Sequence, residues 1–247
     1  MSVDSFFLRA QSLELDTELK NARIDKIFMP RPTEIVLALR SLSGNVRLMI
    51  SCGGSNAGIY LTALRPENPP APPMFCMLLR KHLSGARLTG IFQTPMERCA
   101  VFTFECMDEM GDLVQRKLIA ELMGRTCNLY LLSPEGRIID CLRRIGLDES
   151  TKRQALPGLY YQDPEPVTKK NPLELTKECY VNLLSKPGAD LLSDRLMDEL
   201  GGLSPLICRE AALYACGDVD ARLENGDIAE ISGKIAEFFK ENLENPT

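Results

Sequence analysis

Histidine is nearly absent from this sequence: His82 stands alone, and one imidazole excludes any metal or relay site that needs two. Cysteine is not scarce, but no Cys-x-x-Cys pair occurs among positions 52, 76, 99, 106, 127, 141, 179, 208 and 216. Their odd number and irregular spacing fit neither a disulfide framework nor a zinc site. They read as small apolar side chains kept reduced in cytosol. The sequence also lacks a Gly-x-Ser-x-Gly elbow, a phosphate loop ending in Gly-Lys-Ser/Thr and a His-Glu-x-x-His helix. Spacing alone assigns no role to carboxylates such as Glu105 and Asp108. The reading is therefore a binding protein and not an enzyme, with no metal and no cofactor. The longest charge-free run, Leu48 to Leu64, carries Gly53, Gly54, Ser55 and Asn56 at its centre. It falls short of the roughly 18 apolar residues of a membrane helix, so no span is expected. The opening residues lack the basic start, apolar middle and cleavage site of a secretory signal, which makes the cytosol the expected location.

What is present is a chain of 247 residues, 45% hydrophobic and 26% charged. These values suit one large or two unequal globular domains. A formal net charge of −5 argues at first against nucleic acid. The charge is uneven, however: residues 1–176 carry +2 and residues 177–247 carry −7. The N-terminal part is mildly basic, which permits a local phosphate-binding surface.

Phe6, Phe7, Ala10, Leu13 and Leu19 recur near helical spacing behind Asp4, which predicts an amphipathic helix over 4–19. Runs rich in Ile and Val at 23–29, 34–41, 46–51 and 58–62 read as strands of a meander. Five prolines between Pro66 and Pro73 form an extended connector that starts a helix over Met74 to Leu83, stopped at Gly85. Further strands are predicted at 87–93, 99–106, 114–121, 127–132 and 137–142. After a second proline-rich passage through Pro172 the pattern turns helical, with helices near 173–184, 189–200, 205–215 and 227–243. The expected architecture is α+β: a strand-rich domain with two helices over 1–172, then a helical domain over 173–247. There is no internal repeat and no low-complexity tract.

Three places carry candidate binding residues. Glu97-Arg98 follows Thr94-Pro95 at a strand-to-strand connection, and Glu121-Leu122-Met123-Gly124-Arg125 closes a later strand. An arginine on such a loop can fork onto a phosphate or a base edge, with the carboxylate orienting it; a surface ion pair would account for the same residues. The third place is Glu199 to Leu206, where Gly201 and Gly202 allow a tight turn between two helices. Backbone amides there can face a phosphate, but an ordinary two-helix turn capped by Ser204 is the simpler reading. Arg80, Lys81 and His82, ending the Met74 helix, complement its dipole.

Several phrases together resemble the NFACT family: Leu8-Arg9, Arg23-Ile-Asp-Lys-Ile27, the passage from Arg65 through the prolines to Arg80-Lys81-His82-Leu83, Glu121 to Arg125, and Leu156-Pro-Gly158. The resemblance implies a first domain similar in fold to the Fpg/MutM glycosylases, joined to a helix-hairpin-helix domain. It does not imply their chemistry, because the chain begins Met1-Ser2-Val3 and not with a proline amine. It further implies binding of tRNA, alanine tRNA in particular, and of a large ribosomal subunit with a stalled nascent chain, in support of template-free alanine tailing. The family's Asp-Arg pair falls on Glu97-Arg98, with Glu in place of Asp. Its second functional stretch falls on Glu121, Leu122 and Met123. Family members continue into a coiled coil and a C-terminal domain, so the resemblance implies that this chain is part of a longer one. Fibronectin binding at the cell surface, for which some members are named, is the alternative.

Overall fold

The computed structural model describes residues 3–42, 44–53, 56–165 and 168–244, without the side chains of Arg125, Asn225, Leu243 and Glu244. These residues form two compact units. The first is built chiefly from Gln11–Thr94 and Arg98–Pro164, the second from Asp4–Ala10, Pro95–Glu97 and Glu165–Thr247. A single cut at 172/173 has no provision for the two short segments of the second unit. Side-chain packing ties in the first of them: Phe6 stacks on Phe238 with centroids 6.3 Å apart.

The first unit holds nine antiparallel strands: β1 (Arg23–Arg31), β2 (Glu34–Ser41), β3 (Gly44–Ser51), β4 (Gly58–Leu61), β5 (Arg87–Gln93), β6 (Cys99–Met107), β7 (Leu113–Glu121), β8 (Asn128–Leu132) and β9 (Ile138–Cys141). Their order is β4-β3-β2-β1-β5-β6-β7-β8-β9. Two meanders thus meet at β1 and β5, joined through Arg23 and Arg87. All nine were anticipated. β1 runs on through Pro30 to Arg31, pairing with Glu34, and β3 starts earlier than the expected 46, at Gly44, which pairs with Ser41.

Strand alternation buries Ile35, Leu37, Leu48, Ile50, Phe102 and Phe104 completely, each contributing roughly 1.5–3 kcal/mol. In β1 the alternation breaks. Ile24 pairs with Leu39 and Lys26 with Ala38, so Asp25 is an extra residue. Such a bulge re-aims side chains, and Asp25 and Lys26 are consecutively exposed. Helix α2 (Met74–Leu83) buries Phe75, Cys76, Leu79 and Leu83. Arg80 Nε donates to the carbonyl of Ile27 at 2.8 Å, tying the helix to β1.

Helix α1 spans Ser5–Leu19. The second unit adds α3 (Lys177–Leu184), α4 (Leu192–Glu199), α5 (Pro205–Cys216) and α6 (Ile228–Glu244). The predicted start of α3 at 173 is displaced: Pro172–Glu174 forms a 3-10 turn, and the helix begins after Thr176, whose hydroxyl accepts from Cys179 N–H. The core here gathers Tyr180, Leu183, Leu196, Cys208, Ile235 and Phe239. Among the described residues no helix is long and apolar enough to cross a membrane.

Candidate nucleic-acid interface

β6 and β7 pair with Cys99 opposite Glu121. That register places the residue before β6, Arg98, beside the residue after β7, Leu122. The amide of Leu122 donates to the carbonyl of Arg98 at 2.7 Å. Two candidate segments far apart in sequence therefore become one end of a strand pair. The connection is tight, with Thr94 N–H donating to the Cys99 carbonyl at 3.0 Å. Arg98 is half-buried, and its guanidinium makes no ion pair with a described carboxylate. Its charge is felt at Cys127, lowering that thiol's pKa against the larger upward push of burial. Glu97, which precedes Arg98, belongs to the second unit.

The residues after β7 divide sharply. Leu122 is fully buried. Met123 is half-buried, and Gly124, at φ +57°, turns the chain into the 3-10 segment Gly124–Thr126. That left-handed conformation favours glycine. The side chain of Arg125 lies outside the described residues.

Glu121 is 1% exposed, and its carboxylate is spent inside the protein. Arg153 grips both oxygens, Nη1 reaching Oε2 at 2.9 Å and Nη2 reaching Oε1. Tyr161 donates to Oε1 at 2.8 Å, and Tyr130 donates to Oε2 at 3.4 Å. The two rings meet edge-on at 5.1 Å. Burial first, and then neighbouring negative groups, raise both phenol pKa values. For Arg153, burial opposes the charge but the bonds and charge of Glu121 outweigh it, so its pKa rises. Glu121 thus braces the strand end that carries Leu122, and Arg98 presents the open charge. Arg153, Tyr130 and Tyr161 were not among the candidates. Arg153 lies 32 positions and Tyr161 lies 40 positions from Glu121, and no local spacing marks such a pairing.

In the second unit the Gly201-Gly202 turn makes its bonds internally. Gly201 N–H donates to the Lys170 carbonyl at 2.9 Å, and the Gly202 carbonyl accepts from the amide and hydroxyl of Ser5. Ser204 caps α5 by accepting from Ile207 N–H. Pro205 has no amide, which leaves Leu206 as the open donor of the first turn. This is the geometry of a capped two-helix turn.

The chain matches the family model described as NFACT N-terminal and middle domains over residues 4–246. It belongs to the NFACT family. Among NFACT relatives, the Rqc2 homolog RqcH of Bacillus subtilis is 35% identical over 212 residues, covering 85% of this chain and 37% of the relative. Ribosome quality control complex subunit 2 of Saccharomyces cerevisiae is 30% identical over 141 residues, covering 56% of this chain and 12% of that protein. The solved N-terminal part of the fibronectin/fibrinogen-binding protein from Streptococcus suis aligns at TM-score 0.82 and 30% identity, over 95% of this chain and 84% of that one. The chain spans about a third of the length of the bacterial relative.

Proposed function

We propose that this chain is an RNA-binding part of a ribosome-associated quality control factor. It holds tRNA on a large ribosomal subunit with a stalled nascent chain and supports template-free alanine tailing by binding, without itself catalysing a reaction. Its place of action on this reading is the cytosol. The observation that carries the reading is the Arg98 guanidinium, which makes no ion pair among the described residues and stands at a strand end where the Arg98 carbonyl meets the Leu122 amide and which Glu121 and Arg153 brace. A half-buried arginine without a carboxylate has its fork free for a phosphate or base edge. The relatives named for ribosome quality control support the same reading. So does the mildly basic composition of residues 1–176. Kinship of the first unit with the Fpg/MutM glycosylases, and of α4 and α5 with helix-hairpin-helix modules, is part of this proposal. The test is sequencing of RNA that co-purifies with wild type and with Arg98→Ala at low salt. Enrichment of tRNA and large-subunit rRNA that falls on substitution is the expected outcome. Absence of any enriched RNA overturns the reading.

Fibronectin binding is the second reading, favoured by the name of the Streptococcus suis structure. Immobilised fibronectin that captures the chain with an affinity indifferent to Arg98→Ala, where no RNA co-purifies, would establish it in place of the first.

A further inference from the structure

A second cationic site lies on the outer face of β1 to β3 and uses none of the residues above. Register pairs Lys26 with Ala38 and Ala38 with Arg47, so a lysine and an arginine flank one small side chain across three strands. Strands lie roughly 4.8 Å apart, and the gap over Ala38 is a groove of 380 Å³, within the roughly 300–1,000 Å³ of ligand sites. Phe28, two residues from Lys26 on the same face and half-buried, forms part of its lining. Thr62 N–H donates to the Arg47 carbonyl at 2.9 Å, directing the chain after β4 so that Arg65, Pro66 and Asn68 form the rim. The bulge at Asp25 is what turns Lys26 outward.

Electrostatics separates this groove from an ordinary solvated face. Lys26, Arg47 and Arg65 form no ion pair with any described residue. The one lining carboxylate, Asp25, lies 3.9 Å from Arg40 in an exposed pair, so three cations face one carboxylate that is shared with a fourth. Three open cations around an accessible aromatic ring and two amides, Asn45 and Asn68, match a ligand with phosphates and a flat, hydrogen-bonding base. Stacking platforms within cationic grooves are how single strands are held without sequence preference. An acidic peptide would engage the cations, but Asp and Glu side chains have no aromatic ring to stack on Phe28.

We propose that this groove binds single-stranded RNA, seating a base against Phe28 and the adjoining phosphates on Lys26, Arg47 and Arg65. The inference rests on the RNA-binding reading above but assigns it a second contact. The test uses the whole chain and a mixed-sequence decaribonucleotide bearing 4-thiouridine. Cross-links are mapped by mass spectrometry, affinity is measured by anisotropy, and co-purified tRNA is measured in parallel. Expected are cross-links at Phe28 and its neighbours. Affinity should fall about tenfold, and the salt slope by about 2, when Lys26, Arg47 and Arg65 are all changed to Gln. Ala38→Met, which fills the groove and leaves its charge intact, should weaken binding as well. Cross-links confined to the surroundings of Arg98 overturn the groove and leave the first reading standing. Cross-links at Phe28 with no co-purified tRNA do the reverse. No binding of the oligonucleotide at low salt, or equal binding of a polyglutamate peptide with the same loss in the variants, overturns the RNA assignment.

Discussion

Arg153 closes on Glu121 with both terminal nitrogens, and the pair is buried at the carboxylate and partly open at the guanidinium: the side chains are 1% and 26% exposed. The arginine also donates through Nε to the Gln162 carbonyl at 2.8 Å. One ion pair therefore ties the end of β7 to the irregular segment after β9, with the rings of Tyr130 and Tyr161 packed around it. The carboxylate that sequence spacing offers to a ligand is in fact consumed in holding its own strand end in place.

Glu121→Gln should accordingly destabilise the first unit by about 3 kcal/mol, because removing one partner of a buried pair leaves the other charge uncompensated. Urea unfolding followed by circular dichroism measures it. Retention of the wild-type midpoint would mean that Arg153 finds another acceptor and that the brace is dispensable.

Gly202→Ala is expected to cost about 2–3 kcal/mol or to prevent folding of the second unit. Its φ is +76°, and an added Cβ would stand 2.5 Å from the Met96 carbonyl oxygen and collide with Ser5 Oγ. Gly217→Ala, also at φ +75° but with open space around it, should cost only about 1 kcal/mol. Thermal melts of the two variants separate conformational strain from collision.

Arg195→Met should lower stability by about 3 kcal/mol. This arginine is 6% exposed and donates to the carbonyls of Leu184 at 3.3 Å and Ala189 at 2.9 Å, and to that of Lys186. Carbonyls at the end of α3 that lose a charged donor inside the protein are left without a partner. Native-state hydrogen exchange should show faster exchange in α3 and α4, with β6 and β7 unchanged.

Thiol chemistry gives a pH dependence with a definite sign. Burial pushes Cys99 up to about 11, and Cys52 and Cys141 up to about 12, from an ordinary value of 9.0. Raised folded-state values mean that the contribution is fully present below pH 9 and is lost as pH rises from 9 through 11 to 12, where the unfolded thiols ionise first. The urea midpoint should stay level from pH 7 to 8.5 and decline above 9. At pH 8, a disulfide reagent should label Cys216, which is exposed, and Cys179, whose thiol is favoured for ionisation by the Thr176 hydroxyl. The remaining seven, all buried, should react only in denaturant.

The elements themselves were legible along the chain because period and punctuation are local. Val and Ile runs bounded by Gly and Pro mark β2 and β3, and Ser204-Pro205 marks the start of α5. Arg98 was legible as an arginine in a connection. Its proximity to Leu122 was not, since that follows from the register of β6 on β7, which local pattern leaves open. The groove over Ala38 depended on a bulge at Asp25 and on where the segment after β4 comes to rest.

By itself, then, the amino-acid sequence determined the strands and helices, the scattered thiols, and the uneven charge between the two parts of the chain. Each of these depends on neighbouring residues or on composition. Tertiary structure alone decided which charges are spent and which are open. Glu121 is neutralised by a partner 32 positions away, while Arg98, Lys26, Arg47 and Arg65 form no ion pair among the described residues. The reason is physical: burial and pairing are properties of the surroundings that folding assembles from distant segments, and a carboxylate or guanidinium has no fixed role until those surroundings exist.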